Sequence, residues 1–371
     1  MRDSQQMKIT GLTTCRKYIE LKDSHKMRSA LGVNHGNEFV VLKLHTDVGI
    51  DGLGEASITV RWSGEVPAGC EQVLNEILQP EIVGLEVGDF QTLNKRMDTV
   101  CSRNWFAKSA IEMACWDALG KDRSVPVYEL LGGPVRPLKF VNRFSMGAYT
   151  VPHAEQRAAE LVAWGFDTIK VKVGTDPAED VARVRAVRDV IGFERDLVID
   201  ANCGWDVDTA IECVKQLEAC RLDLVEQPTP DGDYRGLARL RRETGVKVLA
   251  DDICFDLIHA KELIEHQACD AISVYPGKNG GISRSIEILD YAQQHGIACS
   301  IGSNLEWDIA ISAMAHLVVA HPNMKVEEFP GDVLGPSYYS ERVVSQQVRI
   351  EGPMTHTPEG PGLGVGELLL A

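Results

Sequence analysis

Thr168-Ile169-Lys170-Val171-Lys172-Val173 is a β-branched run interrupted by two lysines, and the reading of the whole chain turns on it. Alternate residues of a strand point to the same side, so both ammonium groups face one way. Further apolar runs follow at 197–200, 222–226, 246–251, 271–275 and 297–301. Their carboxyl ends recur about every 25 residues, room for one strand, one helix and two short loops. A period this regular, beginning near residue 140, predicts a modified (β/α)₈ barrel. Polar residues stand at or near the run ends: Lys172, Asp200, Glu226, Asp251 and Ser300. Barrel active sites are built at the carboxyl ends of the strands, so those residues are the first candidates for function.

The chain before the barrel reads differently. Residues 7–60 predict a β-hairpin or meander, opened by Met7-Lys8-Ile9-Thr10 and continued by Phe39-Val40-Val41-Leu42-Lys43-Leu44 with a turn at 47–52. Between them, residues 23–37 are polar and glycine-bearing and predict a mobile loop. Helical periodicity covers 70–130, as in Val73, Leu74, Ile77 and Leu78. Together these predict an α+β capping domain over 1–135, completed by the tail 340–371, on a barrel over 136–339. The Pro/Gly-rich stretch 353–364 is expected to lead the tail back to the first domain.

A chain of 371 residues with 44% hydrophobic residues suits one large domain plus a smaller one. The formal charge of −16 argues against a nucleic-acid partner, which needs basic patches. It leaves room for a small anion, because a metal and buried lysines can reverse the field locally. No apolar run approaches the roughly 20 residues of a membrane helix. No apolar signal-peptide core follows Met1-Arg2-Asp3-Ser4-Gln5-Gln6. Ten scattered cysteines without CxxC spacing predict reduced thiols. The expectation is a cytoplasmic protein with neither membrane nor nucleic acid as a partner.

Asp200, Glu226 and Asp251 close three consecutive runs. Carboxylates gathered this way repel one another unless a cation lies between them, and hard oxygen ligands suit Mg²⁺, with Mn²⁺ as an alternative. No His/Cys cluster suits zinc. A lysine beside a cation and partly desolvated has its charged form disfavoured, which prepares it as a general base. Metal and lysine together can remove the weakly acidic proton next to a carboxylate, the metal offsetting the enediolate charge.

The motifs IKVKVG (169–174), DANCGW (200–205), VEQP (225–228), LADD (249–252) and KNGG (278–281) together resemble the enolase superfamily, in its muconate lactonizing branch. DGLGEA (51–56), NWFAKSAIEMACWDALGK (104–121) and VPVYELLGG (125–133) are similar to that branch's capping domain. The resemblance implies Asp200, Glu226 and Asp251 as Mg²⁺ ligands, Lys172 as catalytic base and Lys170 as its electrostatic partner. It also implies Asn202 as support for the metal and Glu306, in GSNLEW (302–307), at the end of the last barrel strand, both on the substrate side. The loop 23–37 and the turn near 57–61 would close over a small carboxylate substrate, and a homo-oligomer is expected.

One departure stands out. The branch usually carries a second catalytic lysine five residues before a Gly-Gly pair; here the pair is Gly280-Gly281 and the position holds Tyr275. Tyr275 is either a proton donor or a packing ring, and Lys278, three residues on, is another candidate acid or base. A single secure base favours a muconate-cycloisomerase-like reaction. Next come dehydration of a sugar acid or hydroxy acid and then epimerisation of amino-acid derivatives or dipeptides. The alternative outside catalysis is a barrel that binds metal and carboxylate without turnover.

Overall fold

The computed structural model describes residues 6–369. Ile9–Glu20, Gly36–Thr46 and Gly52–Ile58 form an antiparallel three-stranded sheet with Gly36–Thr46 in the centre. That strand reads as a continuous apolar run because both its faces are buried. Val40, Leu42 and Leu44 pack into the cap's own core, while Phe39 and Val41 join the core shared with the barrel. The helix Trp105–Arg123 lies across Gly52–Ile58 at very short range. A Cβ on Gly52 or Gly54 would stand 1.9 or 2.0 Å from the carbonyl oxygens of Ala114 and Ala110, so only glycine fits there.

The segment expected as a loop carries regular secondary structure. Residues 23–37 hold a short 3₁₀ turn, Asp23–His25, and a small hairpin of Met27–Ser29 with Gly32–Asn34. Polar composition had pointed to a loop, but backbone pairing between the two short strands satisfies the chain locally.

All six predicted runs are strands: Thr168–Lys172, Asp196–Asp200, Leu224–Glu226, Val248–Ala250, Ala271–Val274 and Ala298–Ile301. With Phe144–Met146 they form a seven-stranded parallel sheet in sequential order. Its ring is completed by an irregular eighth segment. Met324 bridges to Cys299 and Gly331 bridges to Asn142, both in parallel. The register sets Lys172 beside Asp200 and Asp200 beside Glu226. In the tail, Met354–His356 pairs with Lys139–Val141, and Leu363 N donates to Asp117 of the cap helix. No helix among the described residues is long and apolar enough to cross a membrane, and all ten cysteines are free thiols.

Cap and barrel are joined by carboxylates set on helix N-termini. Glu55 accepts from the backbone N–H groups of Trp307 (2.7 Å) and Ile309 (2.9 Å), where the helix Asp308–Ala320 begins. Glu112 accepts from Ile282 N (2.6 Å) and Ser283 N (2.8 Å) at the start of Ile282–Gln294, and from Trp116 Nε1 (3.1 Å) on its own helix. Free N–H groups and the helix dipole both favour an acid there. Replacing Glu112 with Ala strands these buried donors and is expected to cost roughly 3 kcal/mol in urea unfolding. Glu351→Ala, which removes exposed pairs with Arg349 and His356, should stay within about 0.5 kcal/mol. Equal effects would remove the interdomain role assigned to Glu112.

Candidate active site

The carboxyl ends of the barrel strands form a pit of buried charge. Lys170 Nζ bridges Asp200 (2.9 Å) and Glu226, so each acid holds the same ammonium. Lys172, two residues on and nearer the mouth, donates to Asp200 Oδ2 (2.5 Å) and Asn202 Oδ1 (2.7 Å). Lys278 is wholly buried and donates to Asp251 Oδ1 (2.7 Å), Asp251 O (2.8 Å) and Ser273 O (2.9 Å). Those bonds use all three protons of its ammonium group. Lys278 therefore clamps Asp251 and is not on the cavity wall, unlike the acid or base expected from its place in the sequence.

The titration behaviour follows the pairing. Burial pushes the Asp200 carboxyl up, but Lys170 and Lys172 outweigh it and hold it well below the usual carboxylate range. Burial and Arg143 lower Lys170, yet Asp200 and Glu226 outweigh them and keep it charged. The lowering expected for a buried lysine is thus reversed at Lys170. Burial, then Asp251 and Asp200, push Asp252 well above the ordinary value.

Backbone strain positions several of these groups. Asn202, Cys203 and Gln227 have φ of 42°, 64° and 32°, left-handed values that are costly outside glycine and cluster at functional sites. Asn202 N donates to Asp200 Oδ1 (2.9 Å), so the turn after the strand locks the acid. Gln227 Oε1 accepts from Asp251 N (3.0 Å), which ties the ends of two neighbouring strands together.

Asp200, Glu226 and Asp251 come from adjacent strands, as the sequence predicted. Protein cations stand between them, so no three acids among the described residues are already spaced around one point. The donor set still suits Mg²⁺: three buried carboxylates, with Glu226 Oε2 met by the Arg143 guanidinium alone (2.7 Å).

Above the pit lies a cavity of about 110 Å³ walled by Lys172, Asn202, Tyr275, Trp62, Leu31 and Asp332, among others. Trp62 comes from the cap, so the cavity is a seam between the domains. Its ring stacks on Tyr275 (5.9 Å between centroids) and on Phe255 (5.2 Å). Tyr275 follows a strand four places from that of Lys172 in the curled sheet, across the barrel from it. Burial, then Asp251, pushes its phenol well above the usual value, so it carries its proton.

Glu306 stands behind the wall. Its carboxylate accepts from Asn304 N (2.9 Å) and Ser303 Oγ (2.8 Å), folding a loop whose Asn304 in turn accepts from Thr59 of the cap (2.6 Å). Its place is to shape the loop, and burial pushes its carboxyl up to about 7. Arg143, Asp252, Asp332, Trp62 and Gln227 were missed from sequence. Only the Gln and the second Asp, inside VEQP and LADD, carried a local signal.

Residues 153–366 match the family model "Enolase C-terminal domain-like". Residues 12–132 match "Mandelate racemase / muconate lactonizing enzyme, N-terminal domain". The chain belongs to the mandelate racemase/muconate lactonizing enzyme family. It is thereby an enzyme of the enolase superfamily. Among members of this family, a hydrophobic dipeptide epimerase of Enterococcus faecalis is 32% identical over 97% of this chain and 99% of its own. Muconate cycloisomerase 1 of Rhodococcus opacus is 31% identical over 88% of this chain and 87% of its own. The Enterococcus dipeptide epimerase solved with Mg and L-Leu-L-Tyr superposes with a TM-score of 0.91 at 30% identity, covering 97% of this chain and all of that one.

Breaking a fully buried ion pair from one side commonly costs 3–5 kcal/mol, so Lys278→Met should lose about that much in denaturant unfolding without added metal. A loss below about 1 kcal/mol, the scale of an exposed pair, would show that Lys278 does not clamp Asp251.

Proposed function

We propose that this protein is a Mg²⁺-dependent epimerase or racemase of a small amino-acid derivative, a dipeptide being the first candidate. The observation that carries the reading is the unlike pair across the cavity: the Lys172 amine on one face and the Tyr275 phenol on the other. Lys172 removes the proton next to the substrate carboxylate. Asp200, Glu226 and Asp251 would hold the metal, which when bound would supply Lewis acidity to offset the charge of the enediolate. Tyr275 delivers its proton to the opposite face, and exchange with solvent resets both groups.

Asp332 supports an amino-bearing substrate. It is buried on the cavity wall with the Tyr338 hydroxyl as donor (2.6 Å) and no protein cation paired to it among the described residues. An ammonium group on the substrate meets that charge. Epimerisation thus takes precedence over the cycloisomerisation favoured from sequence, as the epimerase relatives also suggest. The one observation that favours a second reading is the lack of a lysine opposite Lys172. In a syn-elimination, Lys172 would take the α-proton and pass it to a departing hydroxyl on the same face.

The test is a panel of dipeptides and N-acyl amino acids incubated with Mg²⁺ in D₂O, with α-proton exchange followed by NMR and inversion by polarimetry. Lys172→Ala should lose about 10³-fold or more in exchange. Tyr275→Phe should keep exchange and lose inversion. Inversion at the full rate in Tyr275→Phe would end the role given to the phenol. A panel without any exchange would end the epimerase reading.

A further inference from the structure

Arg143 directly precedes the first barrel strand, and its neighbour Phe144 pairs with Ile169. Its side chain therefore starts at the foot of the barrel and rises inside it. It is 1% exposed, among the largest fully buried side chains of the protein. It borders both the reaction cavity and a second cavity of about 310 Å³ at the opposite end of the barrel. Nη2 lies 2.7 Å from Glu226 Oε2, while Nε and Nη1 have no hydrogen-bond partner. A buried guanidinium with spare donors is costly to keep in a barrel core that apolar side chains could fill.

The pit's charges show what it does. Asp200, Glu226 and Asp251 face Arg143, Lys170, Lys172 and Lys278, three paired acids against four cations. Lys170 and Lys172 hold Asp200, Lys278 holds Asp251, and Arg143 touches Glu226 alone. Glu226 would still be paired with Lys170 if Arg143 were absent. Arg143 is thus the cation whose removal changes the charge of the pit while leaving every acid–lysine pair in place. A divalent ion arriving at Glu226 meets this fixed charge at close range in a medium of low dielectric constant.

We propose that Arg143 is a built-in counter-ion of Glu226 that weakens the pit's hold on a divalent cation. This rests on the reading that Asp200, Glu226 and Asp251 are the metal ligands. A carboxylate shared with a guanidinium donates less charge to a metal, so the ion remains the stronger Lewis acid toward substrate. Arg143 is a positioning residue in this scheme and acts through Glu226.

The metal alone tests it. The full chain, stripped with chelator, is titrated with Mn²⁺, and the free ion is read by electron paramagnetic resonance. Arg143→Met and Arg143→Gln should bind Mn²⁺ at least about tenfold more tightly than the wild type, since a like charge has gone. Arg143→Lys keeps the charge and should stay within about threefold. Circular dichroism and urea unfolding identify the variants that are folded, and Gln stands in if Met is not. Neutral variants that are folded yet bind Mn²⁺ equally or more weakly overturn the proposal. If the wild type and all variants bind no Mn²⁺ at millimolar concentration, the ligand reading fails and the inference with it.

Discussion

The ammonium of Lys170, shared by Asp200 and Glu226 inside the barrel, is the constraint on which the site depends. Taking an ion out of water costs several kcal/mol, so neither the lysine nor the acids would be stable there alone. Their mutual attraction, with Lys172 as a second cation on Asp200, lets charged side chains fill a space otherwise packed with aliphatic ones. The pairing also sets direction. With Lys170 anchored in the interior, strand alternation places Lys172 on the same side one step nearer the mouth, where it reaches Asn202 and the cavity. Asn202 and Gln227 then take strained backbone conformations that brace the acids.

The cavity above that unit exists only because the cap is held in one place. Glu55 and Glu112 leave the cap to satisfy the first N–H groups of two barrel helices. Gly52 and Gly54 let the sheet carrying Glu55 approach the helix carrying Glu112. Those contacts fix the turn that bears Trp62, and the stack of Trp62 on Tyr275 and Phe255 forms one wall of the pocket. Cap position and pocket shape are therefore one property, set by buried carboxylates far from the chemistry.

Within the pocket the two faces differ in kind. Lys172 offers an amine beside Asp200; across the barrel stands a phenol that burial keeps protonated. Lys278, which could have restored a second amine, spends its three protons on Asp251 and Ser273. The two groups that face each other across the pocket thus differ in acidity, a distinction that the proposed proton transfer uses and the fold does not need.

The sequence by itself determined the barrel, the three acids at its strand ends and the order of the lysines. Each of these is written in local pattern: strand period, a polar residue at or near the end of an apolar run, and alternation within IKVKVG. The cap's sheet was legible for the same reason. The hairpin within 23–37 was not, because its short strands have no apolar period and owe their order to pairing. Tertiary structure alone decided that Lys278 points to Asp251, that Glu306 folds a loop, and that Arg143 and Asp332 belong to the site. These depend on distances between residues far apart in the chain, such as the 2.7 Å from Arg143 to Glu226. The energy of a buried charge is set by what lies beside it in space, and no periodicity along the chain records that.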